Sequence, residues 1–477
     1  MGSLSAFALS IISAAILSRY LDKVEYGTYR QIIYIYNTLL IVFSIGLPKA
    51  FSYFLPQQSM AQGKQIVSKI TKVFFLIGLA FSLFLYLSAP VIASILKNPE
   101  LVTGIRLFSP IPLLLLPTLG IEGIFASLRK THIIAIYNVS TRLFMLLAIT
   151  LPVILFGGDY KTAIYGWFLS SFCTCILALY LKSRPYRNIE ASKADYAFKD
   201  IFAYTAPIMQ ASLYGIALRF ADQFYISRYF GPETFAEFSN GFMEIPFVPM
   251  VTGATATVLT PMYAKYLHQE NGIKIIADSW KNALMKSALI IYPLVIYFMF
   301  YAQDIMLLIY GHKYLASGLY FNIAMVINFF DIIVIGSLLF AMGETKYYAK
   351  IFLISVLVVW GVDFILVKLF MNPYLIAITS VAMRVIRIFI FLSFVAKKLE
   401  INIYKLFPLQ TFIKIIGHAL AVVIPIKIAS LYIELNIPII LTLIISFALY
   451  GIILLLSQKA VGVNYLVTAK AIISSRK

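Results

Sequence analysis

Charge is scarce in this chain. Only 12% of its 477 residues are Asp, Glu, Lys or Arg, 61% are hydrophobic, and the mean hydropathy is +0.90. Soluble globular domains carry about 25% charged residues, so a water-soluble fold is excluded and a polytopic membrane protein is implied. Cysteine is nearly missing. Cys173 and Cys175 lie together in an apolar run, which leaves no disulfide framework and no four-ligand metal spacing. His132, His268, His312 and His418 are scattered, with no two on one helix face, so metal catalysis has no support. A phosphate-binding GxxxxGKS/T sequence is also lacking, which argues against ATP hydrolysis within the chain. No loop exceeds about 20 residues, which leaves little room for a catalytic domain outside the bilayer.

What is present is a succession of apolar runs of roughly 18 to 28 residues, each able to span a bilayer as a helix. They predict helices at about 3–19, 30–54, 67–95, 101–128, 131–156 and 162–182, then 200–228, 235–266, 280–302, 314–342, 346–370 and 374–397, with two more at about 408–432 and 436–457. The expectation is an all-α integral membrane protein of about fourteen spans. Its predicted organisation is a six-helix bundle over 1–182, a linker over 183–199, a second six-helix bundle over 200–398, and two further helices with a basic tail over 399–477. Loops after even-numbered helices hold 24 Lys and Arg, and loops after odd-numbered helices hold ten, counting Arg30 and Lys427 among the latter and Lys182 among the former. This bias predicts that both termini are cytoplasmic. The net charge of +19 is read in the same way, as cytoplasmic loops and contacts with anionic headgroups, and no nucleic acid is implied. The apolar N-terminus lacks a basic region before it and leads straight into a repeated turn, so it reads as a mature helix rather than a signal peptide. It is about nine residues shorter than its second copy, and the expectation is that a basic stretch and part of a helix precede Met1 in the native protein.

The chain repeats itself. Ser18-Arg19-Tyr20-Leu21 followed by Tyr26-Gly27-Thr28-Tyr29 is echoed by Ser227-Arg228-Tyr229-Phe230 followed by Phe235-Ala236-Glu237-Phe238, at an offset of 209. Leu47-Pro48 through Tyr53 matches Thr260-Pro261 through Tyr266 at 213, and Leu128-Arg129-Lys130-Thr131 matches Met342-Gly343-Glu344-Thr345 at 214. Because six spans separate the copies, the repeats are parallel, related by an axis near the membrane normal.

Ten ionisable residues fall inside the predicted spans: Lys49, Arg142, Arg219, Arg384 and Arg387, with Glu122, Asp222, Glu244, Asp331 and Asp363. Charge in a bilayer core is costly and marks a pathway, a relay or a bundle interior. Arg219 and Asp222 are three residues apart on one helix face. Glu244 lies in Asn240-Gly241-Phe242-Met243-Glu244-Ile245-Pro246, where Gly and Pro weaken the helix. Arg142 stands in a polar strip with Asn138, Ser140 and Thr141 that suits phosphate or sugar hydroxyls. Arg384 and Arg387 share a face at mid-helix, while Lys49 is near an end and reads as snorkelling. Arg219, Arg142, Arg384 and Arg387 are the candidate substrate-binding residues, and Asp222 and Glu244 the candidate coupling residues.

The turn Ser18-Arg19-Tyr20-Leu21 with Glu25-Tyr26-Gly27-Thr28-Tyr29, and Phe220-Ala221-Asp222-Gln223-Phe224-Tyr225-Ile226 before Phe230-Gly231-Pro232-Glu233, resemble segments of the Wzx-type polysaccharide transporters of the MOP superfamily. The first copy departs from the family pattern at Asp22, where glycine is usual, and Gln223 stands where a basic residue is common. The resemblance implies a MATE-like fold of two six-helix bundles plus two C-terminal helices, working by alternating access. It implies a flippase for undecaprenyl-diphosphate-linked oligosaccharides in the bacterial inner membrane, serving O-antigen, capsule or exopolysaccharide assembly. It also implies no enzymatic activity and no cofactor, with H+ or Na+ as coupling ion, and as partners the lipid-linked glycan, membrane lipids, and polymerase and chain-length proteins of the same pathway. A cation-coupled multidrug exporter of the same superfamily and a membrane glycan polymerase or ligase are the alternatives; the cationic spans argue against the first, and the missing large loop and the repeat against the second.

Overall fold

The computed structural model describes residues 2–44, 46–193, 196, 198–267, 269–402, 407–432 and 437–465. Met1, His268, Lys405, Lys470, Arg476 and Lys477, on which parts of the sequence reading rest, lie outside them. The described residues form helices and no strands. Ten helices are long and apolar enough to cross a membrane, or eleven if Ser317–Asp331 and Ile335–Ala341, bent by 42° at their junction, make one span. The remaining apolar helical stretches, Ala8–Tyr20, Phe198–Gly241 and Phe247–Tyr266, fall outside those ten. Large apolar side chains such as Leu76, Leu83, Leu87, Leu155 and Leu456 are exposed. They form the surface a helical membrane protein turns to lipid.

The helices are α1 (Gly2–Tyr20), α2 (Lys23–Ser44), α3 (Pro48–Phe54), α4 (Met60–Leu96), α5 (Glu100–Phe108), α6 (Ile111–Leu115), α7 (Ile121–Ser127), α8 (Thr131–Phe156) and α9 (Tyr160–Ser183). After the linker come α10 (Phe198–Gly241), α11 (Phe247–Tyr266), α12 (Gly272–Phe300), α13 (Ala302–Tyr310), α14 (Ser317–Val326), α15 (Asn328–Asp331), α16 (Ile335–Ala341), α17 (Thr345–Phe370), α18 (Pro373–Lys398), α19 (Leu409–Tyr432) and α20 (Ile439–Val461). Local chemistry sets several starts. The Ser59 hydroxyl accepts from the Gln62 N–H while Gln62 caps the Ser59 N–H, a capping box that opens α4. The Asp159 carboxylate accepts from the N–H groups of Lys161 and Thr162 and opens α9.

The sequence repeat is visible in the backbone. Lys97 and Gly311, Arg129 and Gly343, and Gly157 and Met371 are paired at an offset of 214, and all six residues have positive φ. Three of them are not glycine, so the positive φ recurs even where a side chain disfavours it, although ψ differs between Lys97 at 35° and Gly311 at 178°. The repeated N-terminal turn is built in two ways. In the second copy Gly231, at φ 80°, kinks α10. In the first copy Asp22 occupies the equivalent place and accepts from the Glu25 N–H at 2.8 Å, while Glu25 reaches back to the Asp22 N–H at 3.4 Å. The departure from glycine is therefore a capping box that starts α2.

Two compact units result, Met1–Ala236 with Val367–Pro373, and Glu237–Leu366 with Tyr374–Lys477. In the first, Phe81 stacks on Phe43 with centroids 4.4 Å apart and is fully buried, as are Phe51, Phe74 and Phe108 or nearly so. Most of α10 belongs to this unit. The Gln31 amide of α2 donates to Ser227 Oγ of α10 at 2.8 Å, and Asn98 donates to Gln31 Oε1 at 2.7 Å and to Thr28 Oγ1 at 3.0 Å. All four side chains are buried, so each must find its partners inside the protein. In the second unit, α12, α19 and α20 pack through Tyr297, Tyr301, Val423 and Tyr450. Tyr297 donates to the Leu443 carbonyl and Tyr450 to the Pro293 carbonyl, which satisfies hydroxyls that the apolar interior could not leave unpaired.

Candidate functional site

The charged residues of the spans are divided between the two units. The densest set lies in the second unit, around Arg384 in the middle of α18. Its Nη2 donates to Asp331 Oδ2 at 2.9 Å and its Nη1 to Glu244 Oε1 at 3.2 Å. Both carboxylates sit at breaks in helices. Glu244 lies in the non-helical stretch between α10 and α11, as the Gly241 and Pro246 that flank it predict, and Asp331 ends α15 just before the bend into α16. Backbone freed from regular helix at such breaks is tolerated in a membrane only inside protein or against a water-filled cavity.

The two carboxylates differ in exposure. The Glu244 side chain is 57% exposed and that of Asp331 19%, with Arg384 at 37%. An ion pair as exposed as Arg384–Glu244 is worth at most about 1 kcal/mol, so Glu244 is the more weakly held of the two partners. Arg387 lies one turn further along the same face. Its guanidinium lies 4.6 Å from the Phe352 centroid, against an aromatic group in which Tyr348 stacks on Phe391. Two guanidiniums and two carboxylates balance, and neutralising either carboxylate leaves a net positive site.

Arg142 belongs to the first unit. It is exposed on α8 and lines a cavity of about 150 Å³ together with Arg30, Ser13 and Tyr29. Next to it on α8, Asn138 donates to Glu122 at 2.8 Å, so part of the polar strip is satisfied by protein. Arg219 is exposed on α10 whereas Asp222, three residues on, is buried at 2%. The helical spacing puts them on one face, but their environments differ, and both belong to the first unit. Asp363 is fully buried in α17.

Three residues differ in the structure from what the sequence implies. Asp331 is one of the ten ionisable residues of the predicted spans but not one of those given a binding or coupling role; the break it belongs to lies in the mostly apolar stretch from Ile327 to Ile335, where Asn328 and Asp331 are the polar residues. The sequence implies a loop position for Arg30, yet α2 starts at Lys23 and carries Arg30 inside the helix. The sequence implies that Lys182 is a loop cation. It is instead 3% exposed, and its ammonium donates to the carbonyls of Pro117 and Leu119 at 2.7 and 2.6 Å. Those carbonyls are freed where the chain breaks helix between α6 and α7, and a lysine satisfies them from α9.

The described residues form a helical, multi-pass membrane fold with broken spans, and solved structures share that fold. Over 96% of this chain and 98% of the other, the fold matches a lipid II flippase MurJ in an inward closed conformation, with a TM-score of 0.71 at 14% identity. An inward-facing multidrug resistance MATE family transporter of the MOP superfamily matches over 83% of this chain and 94% of its own, with a TM-score of 0.65 at 13% identity. A MOP superfamily transporter from Pyrococcus furiosus, described as having a binding pocket of reverse polarity, matches over 84% and 93% with a TM-score of 0.58 at 13% identity. Identities this low establish a shared MOP-type fold. The chain belongs to the family described as polysaccharide biosynthesis protein, whose model matches residues 16–318. No curated protein matches it by sequence.

Proposed function

We propose that the protein is a flippase that carries undecaprenyl-diphosphate-linked oligosaccharides across the bacterial inner membrane by alternating access, with both termini cytoplasmic and polymerase and chain-length proteins of the same pathway as partners. The observation that carries this reading is the Arg384 site. A diphosphate is multiply anionic and is bound best by planar guanidiniums that offer paired donors. Arg384 and Arg387 supply such donors at mid-span, and Arg384 is held by carboxylates until an anion takes their place. Membership of a polysaccharide biosynthesis family supports a glycan cargo. Protonation of Glu244 or Asp331 releases Arg384 for the diphosphate, which would couple transport to H+; a cation that pairs with the same carboxylates would do so for Na+.

The test is complementation of a flippase-null strain, scored by surface polysaccharide and by lipid-linked intermediates retained in the cytoplasmic leaflet. The wild-type chain is expected to restore export, and Arg384→Ala at normal expression is expected to lose it. Restoration by Arg384→Ala would remove this site from the translocation path. Failure of the wild-type chain, combined with efflux of lipophilic cations, would favour a multidrug exporter.

A further inference from the structure

Lys182 of the first unit is a buried cation that the Arg384 site does not use. It is the last residue but one of α9 and is 3% exposed. Buried charge is normally matched by opposite charge, yet among the described residues Lys182 has no carboxylate partner. Its ammonium donates instead to two backbone carbonyls, Pro117 at 2.7 Å and Leu119 at 2.6 Å. The rings of Phe51 and Phe74 flank the same nitrogen, with centroids 5.3 and 5.8 Å away.

The carbonyls are offered because the chain leaves helix there. Leu119 at ψ 147° and Gly120 at φ 88° separate α6 and its short 3-10 extension from α7. Of the oxygens at this break, Leu115 accepts from the Thr118 hydroxyl, Leu116 from the Leu119 N–H, and Pro117 and Leu119 from Lys182. Carbonyls of unwound helix are the ligands with which membrane proteins replace the hydration shell of a monovalent cation, and aromatic faces attract the same charge. At the offset of 214 seen in the turns, Asp331 stands for Pro117 and Ile333 for Leu119. In the second unit a carboxylate at the break therefore meets a guanidinium of α18, whereas in the first unit neutral oxygens meet an ammonium of α9. Neutral carbonyls leave nothing for a proton to discharge. We infer that the break between α6 and α7 is a monovalent-cation site and that Lys182 fills it as a tethered ion, so the first unit holds its broken span without drawing on ions from solution. This rests on the first unit alone and stands whatever the protein carries.

Cutting the tether should turn a fixed ion into an exchangeable one. Lys182→Ala removes the equivalent of n-propylammonium, so thermal unfolding of the full chain in detergent is followed in choline chloride and with sodium, potassium, ammonium or n-propylammonium chloride replacing choline at constant ionic strength. The wild-type midpoint is expected to be the same in every salt. Lys182→Ala is expected to unfold at a lower temperature in choline and to recover saturably with n-propylammonium and, more weakly, with ammonium or potassium. Lys182→Met fills the space without a charge and is expected to stay low throughout. Equal recovery in wild type, Lys182→Ala and Lys182→Met would be a general salt effect and overturns the site. So does a Lys182→Ala protein as stable as wild type in choline, or one that stays low or unfolded with every cation.

Discussion

Asp331 and Arg384 meet at 2.9 Å, a carboxylate at the end of a four-residue helix holding a guanidinium from the middle of a 26-residue one. The second carboxylate, Glu244, shares the same guanidinium from a more exposed position. The site is therefore graded, with an inner partner that holds and an outer partner that exchanges. Binding of an undecaprenyl diphosphate analogue to purified protein should reveal the grading. Glu244→Gln is expected to strengthen binding by up to about fivefold, because an exposed pair contributes about 1 kcal/mol at most. Asp331→Asn is expected to strengthen it more. If the two variants are indistinguishable from wild type while Arg384→Ala still abolishes binding, the carboxylates do not compete for the arginine.

Lys182 is a second buried cation with a definite task. Its ammonium supplies hydrogen bonds to the carbonyls of Pro117 and Leu119 and lies near the rings of Phe51 and Phe74. Lys182→Met keeps the length of the side chain and removes the donor. It should cost about 1 to 3 kcal/mol for the acceptors left unsatisfied, read as a lower midpoint of thermal unfolding in detergent. An unchanged midpoint would mean that water replaces the ammonium and that the site is wetter than its burial implies.

These two residues also mark how far the sequence could be read. The helical membrane character, the repeat and the family were legible, because apolar runs and constant offsets survive without knowledge of contacts; the count of spans was not, since fourteen were expected and ten or eleven helices among the described residues are long and apolar enough. Even the turns of positive φ at Lys97, Arg129 and Gly157 recur at Gly311, Gly343 and Met371, although no shared residue type announces them. The site was legible only in part. Arg384 and Glu244 were singled out as charges in apolar surroundings, but their meeting is a tertiary fact between residues 140 positions apart. Lys182 was misread because a lysine at a helix end looks the same whether it faces headgroups or folds back onto broken backbone. Asp22 looked like a defect in a glycine pattern, and only its hydrogen bonds with Glu25 show it to be a cap.

Gly27 belongs to the repeated motif, and its role is spatial. A Cβ there would lie 2.0 Å from the Pro232 carbonyl oxygen, backbone that cannot swing away as a side chain would. Gly27→Ala is expected to destabilise the protein by about 1 to 3 kcal/mol through overpacking. Gly361→Ala is the contrasting case. It lies within α17 with nothing within 4 Å of its added Cβ, and the gain in helix propensity approaches about 1 kcal/mol. Opposite shifts in the unfolding midpoint are expected; equal shifts would refute the close approach of α2 and α10 at Pro232.

The buried chain of amides and hydroxyls from Asn98 through Gln31 to Ser227 gives the second copy of the motif its purpose in the first unit. Ser227 is fully buried, and the Gln31 amide that it receives is itself positioned by Asn98, which also donates to Thr28. The neighbouring Arg228 donates to the Ile95 carbonyl at the end of α4, so two successive motif residues tie α10 to different parts of the same unit. Groups in one network should not act independently. A double-mutant cycle of Gln31→Leu and Ser227→Ala is expected to show a coupling of about 0.6 to 2 kcal/mol, the range found for hydrogen bonds between membrane helices. A cycle of Gln31→Leu with Ser446→Ala, in the second unit, should show none. Since an unpaired amide in this interior costs more than an apolar pair, the double variant should also be more stable than Ser227→Ala alone. Additivity of Gln31→Leu and Ser227→Ala would mean that α10 is held by packing against α2, and that the motif serine is kept for the turn rather than for the bond.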